Sequence, residues 1–161
     1  MSDEKLFAPW RREYVKEAKD GTDGCVFCEL PEGDDDKDNL ILFRGNLNYL
    51  VLNKYPYNPG HAMVVPFDHV GDYTQLDEET IKERYSIEKM YIEAARSVFD
   101  PDGFNVGMNL GRTAGAGVDD HIHVHLVPRW NGDNNFMPVI SDTRVISQSL
   151  KSAYEELNRE L

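Results

Sequence analysis

The residues with the most chemical content are His121-Ile-His-Val-His-Leu-Val-Pro-Arg-Trp130. Alternation along a strand puts His121, His123 and His125 on one face and Ile122, Val124 and Leu126 on the other, which is expected in the core. Three imidazoles are a costly cover for a sheet, because each carries two ring nitrogens that need partners. Convergence on one metal ion is awkward, since His121 and His125 lie ~13 Å apart along an extended strand. A division of labour fits better, with an outer histidine holding something and His123, at the centre, reacting. A neutral imidazole, with an unperturbed pKa near ~6.5, can attack phosphorus at cellular pH.

Two further features bear on such a reaction. The loop Asn109-Leu-Gly-Arg-Thr-Ala-Gly-Ala-Gly117 has three glycines, which let backbone N–H groups surround anionic oxygens. It is no Walker A loop, because no Gly-Lys-Ser/Thr follows. Arg112 and Arg129 are candidate positive groups. The chain has two cysteines, Cys25 and Cys28, in a C-x-x-C. In a cytosolic chain that spacing means zinc, a redox pair or two plain thiols, and a structural disulfide is disfavoured. Two thiolates supply half of a tetrahedral zinc shell, and the other half would have to come from His61, His69, His121, His123 and His125.

The elements that must position these groups follow from periodicity. Leu40 to Phe43 and Asn48 to Leu52 flank Gly45-Asn46 and predict a β-hairpin. Tyr55-Pro-Tyr-Asn-Pro-Gly60 predicts an ordered loop, His61 to Val65 a third strand ended by Pro66, and Phe104 to Met108 and His121 to Val127 two more. Asp77, Glu78 and Glu79 open a helix with Ile87, Met90, Ala94 and Val98 as its stripe, ending near Asp100-Pro101. Ile146, Leu150, Tyr154, Leu157 and Leu161 mark a second helix. About five strands and two main helices, with early hairpin connections, predict an α+β fold with a mainly antiparallel sheet.

The chain has 161 residues, 40% of them hydrophobic, which suits one domain over residues 1–161 with a core of its own. Residues 1–24 read as an N-terminal extension and 32–38, with Asp34, Asp35 and Asp36 in succession, as a solvated acidic loop. Acidic side chains outnumber basic ones 29 to 17, giving a formal charge of -12, which opposes non-specific nucleic-acid binding. No apolar run approaches the ~18 residues of a membrane span, and Met1 to Lys5 is polar. The expectation is a soluble, cytoplasmic protein with neither a nucleic-acid nor a membrane partner.

His121 to Val127 resembles the His-φ-His-φ-His-φ-φ motif (φ apolar) of the histidine triad superfamily of nucleotide hydrolases and transferases. Asn53-Lys-Tyr-Pro-Tyr-Asn-Pro-Gly-His-Ala-Met-Val-Val-Pro66, followed by His69, is similar to that family's earlier strand-loop-strand. Ala8-Pro-Trp-Arg11 ahead of Cys25-Val-Phe-Cys28, with Pro128-Arg-Trp-Asn-Gly-Asp133, resembles the fragile-histidine-triad-like branch that includes diadenosine tetraphosphate phosphorylases and hydrolases. The likeness runs from about Leu6 to the C-terminus.

The resemblance implies a histidine-triad-like fold and a homodimer whose sheets join edge to edge. It implies cleavage of a dinucleoside polyphosphate or related conjugate at an α-phosphate, with His123 as nucleophile and a nucleotidyl-histidine intermediate. His125 would bind phosphate oxygens, Asn109 would orient the phosphate, and Asn53, Gly115 and Gly117 would contact substrate. Gly115-Ala-Gly117 stands where better-known branches carry glutamine and serine or threonine, so backbone donors must help the leaving group. The resemblance also implies structural zinc on Cys25, Cys28, His69 and His121, with magnesium an optional companion of the substrate. His61 either lines the pocket or caps a strand. Trp130 and Ala8-Pro-Trp-Arg11 tilt the acceptor toward inorganic phosphate rather than water. Two other readings remain: a zinc-stabilised nucleotide-binding module without significant catalysis, and a mononuclear metal hydrolase with the triad as ligands.

Overall fold

In the computed structural model the described residues are 24–133 and 148–161; Ala8-Pro-Trp-Arg11, most of the 1–24 extension, and Ile146 lie outside them. Five strands, β1 (Ile41–Arg44), β2 (Asn48–Leu52), β3 (Ala62–Pro66), β4 (Gly103–Gly107) and β5 (Val124–Arg129), form one sheet in the order β1-β2-β3-β5-β4. Every neighbouring pair is antiparallel. The helices are α1 (Val26–Glu29), α2 (Glu78–Phe99) and α3 (Leu150–Glu160). The α+β prediction therefore holds, with α1 as a short third helix that hydrophobic periodicity could not reveal in four residues.

Alternation explains why β2 and β3 are buried along their whole length. Leu50, Leu52, Ala62 and Val64 face α2 and α3, where Tyr91, Ala95 and Leu157 pack on them. Tyr49, Val51, Met63 and Val65 point to the other face, which Phe27 covers. Asp77 caps α2 by accepting from the Thr80 N–H, and Asp100 ends it in the left-handed conformation at φ 45°. The predicted stripe is right in phase but narrow, because Tyr91 and Ala95 are buried as well. On α3, Ser149 supplies the cap and Tyr154 and Leu157 the buried face.

β1, β3 and β4 are each displaced by one residue from the sequence prediction, and β5 differs more. β5 starts at Val124 rather than His121, because the Ile122 N–H donates to the Val70 carbonyl in the loop after β3 instead of to a strand. It also runs through Pro128 to Arg129. β3 pairs with β5 only as far as Leu126, so the donor that Pro128 lacks is missing from a stretch paired on one side, with β4. The acidic loop is not simply solvated: the Arg44 guanidinium donates to Asp36 and to the Pro31 and Gly33 carbonyls.

The β1–β2 turn is clamped from α2. The Glu83 carboxylate accepts from the backbone N–H groups of Asn46, Leu47 and Asn48 at 2.7–2.8 Å and from the Asn48 amide at 2.9 Å. Desolvation pushes the Glu83 pKa up, but these donors outweigh it and hold it below the usual range. Glu83→Ala is expected to lower unfolding free energy by about 1–2 kcal/mol, read as a shift in urea midpoint at pH 7. The contribution is fully present above the unfolded pKa of about 4.3 and is lost as pH falls through the depressed folded value. An unchanged midpoint would show the clamp to be idle.

Candidate active site and metal centre

His121, His123 and His125 share the sheet face that Phe27 covers, yet they face three different environments. The His121 Nδ1 lies 3.3 Å from the Cys25 Sγ and 3.5 Å from the Cys28 Sγ. The His69 Nδ1 lies 3.3 Å from the Cys28 Sγ. The four ligand atoms are all within 4.8 Å of one another, and this is the one such cluster of histidine, cysteine or carboxylate groups among the described residues. The lengths Zn–S ~2.3 Å and Zn–N ~2.0 Å at a tetrahedral angle put sulfur and nitrogen about 3.5 Å apart. Three pairs already stand near that spacing, and two thiols with two imidazoles are a donor set that zinc favours.

The hydrogen bonds prepare His121 for that task. Its Nε2 donates to the Pro66 carbonyl at 2.9 Å, so the lone pair of the neutral ring is on Nδ1, beside the sulfurs. Burial holds its pKa below the ordinary value and keeps the ring neutral. Burial, then the adjacent Cys25 sulfur, push the Cys28 thiol up to about 11. A cation among these groups would reverse that preference, since a coordinated thiol is deprotonated.

The His123 Nδ1 lies 2.9 Å from the His121 carbonyl, which can only accept. The proton is therefore on Nδ1, and the lone pair of the neutral ring is on Nε2, where a nucleophile needs it. The ring is 6% exposed, nearly closed over by Phe27 at a centroid distance of 4.8 Å.

His125 belongs to another chain of bonds. The Tyr57 N–H donates to the His61 Nδ1 at 3.0 Å, which leaves the His61 proton on Nε2. That nitrogen is 2.9 Å from the His125 Nδ1 and donates to it. The neutral His125 ring consequently carries its own proton on Nε2, as a donor suited to a phosphate oxygen. His61 is fully buried and stacks on Tyr57 at 4.8 Å. The three triad rings thus look toward a candidate metal shell, a backbone carbonyl and a second histidine, and do not converge on one site.

The HIT domain family matches the chain over residues 35–132. The chain belongs to the HIT domain family. It is 40% identical over 155 residues to the AP-4-A phosphorylase of Mycobacterium tuberculosis (strain ATCC 25618 / H37Rv), an alignment covering 92% of this chain and 79% of that protein. It is 26% identical over 137 residues to adenosine 5'-monophosphoramidase of Schizosaccharomyces pombe, covering 85% of this chain and 98% of that one. Among solved structures it is similar to a Zn-bound histidine triad family protein from Mycobacterium smegmatis. That match has a TM-score of 0.70 and 28% identity, and covers 87% of this chain and 94% of the other.

The remaining predicted site residues of this HIT chain are more dispersed. Gly107 pairs with His125, so Asn109 lies just beyond that end of β4, and its amide donates to the Gly115 carbonyl across the glycine loop at 3.4 Å. Gly111 and Gly115 have φ of 80° and 97°, which the loop needs and other residues resist, whereas exposed Gly117 does not share that conformation. The Asn53 side chain accepts from the Tyr55 N–H at 2.9 Å and lies 3.5 Å from the His61 Nε2, at the edge of the histidine chain. Arg129 is committed to Asp133, which also accepts from the Asn58 amide and the Trp130 N–H. The charged guanidinium, against a smaller desolvation cost, holds the Asp133 carboxyl far below the usual range. Sequence reasoning left His61 between lining the pocket and capping a strand, and overlooked Phe27 and Asp120, whose carboxylate is 3.7 Å from the His69 Nε2. Only the position of Phe27 between two candidate ligands, and of Asp120 beside a third, could have signalled them.

No helix among the described residues is long and apolar enough to cross a membrane. Two concavities among these residues, of about 390 and 270 Å³, lie by the β1–β2 turn and α2, with none of the histidines in their lining. The chemical geometry, rather than cavity size, locates the candidate site.

Proposed function

We propose that this chain cleaves a phosphoanhydride of a dinucleoside polyphosphate or related nucleotide conjugate by nucleophilic attack of His123. The observation that carries the reading is the tautomer pattern: a backbone carbonyl fixes a lone pair on the His123 Nε2, while His61 fixes a proton on the His125 Nε2. The His123 Nε2 forms a bond to the α-phosphorus as the bond to the bridging oxygen breaks, and the leaving polyphosphate departs with that electron pair. His125 donates to a phosphate oxygen, where charge develops. Asn109 and the N–H groups of the Gly115–Gly117 turn hold the phosphates, and Asn53 steadies the loop before His61. Water or inorganic phosphate then takes the nucleotidyl group and frees the ring.

Cys25, Cys28, His69 and His121 would hold a structural zinc ion, all four ligands coming from the protein, and the ion would tie the segment around α1 to the catalytic strand. Reduced thiols suit a cytoplasmic setting. The residues form one domain that pairs as a homodimer along β4, an edge strand whose Val106 is 50% exposed and whose Gly103 and Gly107 leave the edge open to close approach.

Product analysis with diadenosine tetraphosphate tests the reaction. ATP plus ADP, formed only when inorganic phosphate is present, is the expected outcome, in keeping with the likeness to a phosphorylase. ATP plus AMP would make water the acceptor. The near-burial of the His123 ring favours one rival, a zinc-stabilised binding module, and binding without any product would replace the enzyme reading with it. His61→Phe keeps a ring stacked on Tyr57 but removes the donor to His125. Its kcat is expected to fall about 10²-fold with KM little changed; an unaltered kcat in steady-state kinetics would remove His61 from the machinery.

A further inference from the structure

Phe27 sits between the two cysteines of Cys25-Val-Phe-Cys28 and is 4% exposed. Its ring lies 4.8 Å from that of His123 and 5.6 Å from that of His121. Its helix, α1, has four residues, too few to hold their shape alone. Two kinds of anchor fix it: the Tyr49 O–H, which donates to the Phe27 carbonyl at 2.7 Å, and the cysteine sulfurs beside His69 and His121. Another restraint on His123, the carbonyl under its Nδ1, belongs to His121, whose own ring is in the same cluster. These two restraints on the reacting ring therefore lead back to the four candidate zinc ligands, whereas the His125 ring, edge-on at 4.9 Å, bounds it independently.

We infer that Phe27 is a positioning residue through which filling of the Cys25–Cys28–His69–His121 site locks the His123 ring in its reactive orientation. This rests on the function proposed above. A loosened α1 lets Phe27 withdraw, and the His123 ring can then turn and lose its bond to the His121 carbonyl. Packing holds a ring only while its neighbour is itself held.

Zinc-loaded full-length wild type, Phe27→Leu and Phe27→Ala separate the possibilities. Each variant is expected to keep about one zinc per chain. Phe27→Ala should lose about 10²-fold in kcat with KM changed less than about twofold, and the bulkier Phe27→Leu should recover part of that loss. A second readout needs no turnover. Long-range proton–nitrogen spectra of protein with 15N-labelled histidine should show His123 as a fixed Nδ1–H tautomer in the zinc-loaded wild type. They should show averaged tautomers in zinc-loaded Phe27→Ala and in wild type stripped by chelator. If stripping unfolds the chain, the Phe27→Ala spectrum decides. Zinc-loaded Phe27→Ala with a wild-type kcat, or a His123 spectrum indifferent to zinc in folded protein, overturns the inference, as does a chain that takes up no zinc. A fully active His123→Ala instead brings down the function reading itself, whereas an inactive His123→Ala beside a fully active Phe27→Ala removes only the coupling.

Discussion

His123→Ala is expected to lose at least about 10⁴-fold in kcat, since removing a covalent nucleophile leaves only the contribution of binding and positioning. The fold should survive. The ring lies at the edge of the core beside the His121 carbonyl, and its neighbour Phe27 remains anchored through Tyr49. Circular dichroism and zinc content should match wild type, which separates a chemical loss from a structural one. In the same preparation, wild-type protein mixed with diadenosine tetraphosphate and quenched without acid should show a transient mass gain of one nucleotidyl group, and the variant none. A variant that turns over at the wild-type rate would end the histidine-nucleophile mechanism whatever the wild-type mass spectrum shows.

Replacing both thiols, Cys25→Ser with Cys28→Ser, should take zinc from about one ion per chain to none in protein purified without chelator. Serine hydroxyls are poor zinc ligands, and the two imidazoles left behind make half a shell. A ligand present at ~1,000 times its Kd stabilises the native state by about 4 kcal/mol. For a chain of this size that corresponds to a fall in melting temperature of roughly 8–16 °C. Calorimetry with and without added zinc reads it, and wild type stripped by chelator should melt near the variant. Equal and negligible zinc in both proteins, with equal melting temperatures, would leave Cys25 and Cys28 as plain thiols.

These expectations differ in how far they could be read before a structure was in hand. The alternation His121-Ile-His-Val-His125 already assigns the histidines to one face, because two residues per repeat is a property of any extended chain. The Gly45-Asn46 turn, the Asp77 cap and the phase of the α2 stripe are similarly local, and each appears where its residue types demand. Strand limits were less legible. Whether Pro128 ends a strand depends on whether its missing N–H would have had a partner, and that depends on where β3 stops beside β5.

The sequence by itself determined a two-helix, five-strand pattern, a triad on one face and a pair of thiols, because all of these are encoded within a few residues of one another. Tertiary structure decided which group meets which. It joined Cys25 to His121 across 96 residues and His61 to His125 across 64, and it laid Phe27 on His123. The physical reason is that periodicity specifies the direction a side chain faces, not what it meets. Partners are set by the packing that brings β5 between β3 and β4 and folds α1 over that face, and the tautomers of all three triad rings follow from those contacts.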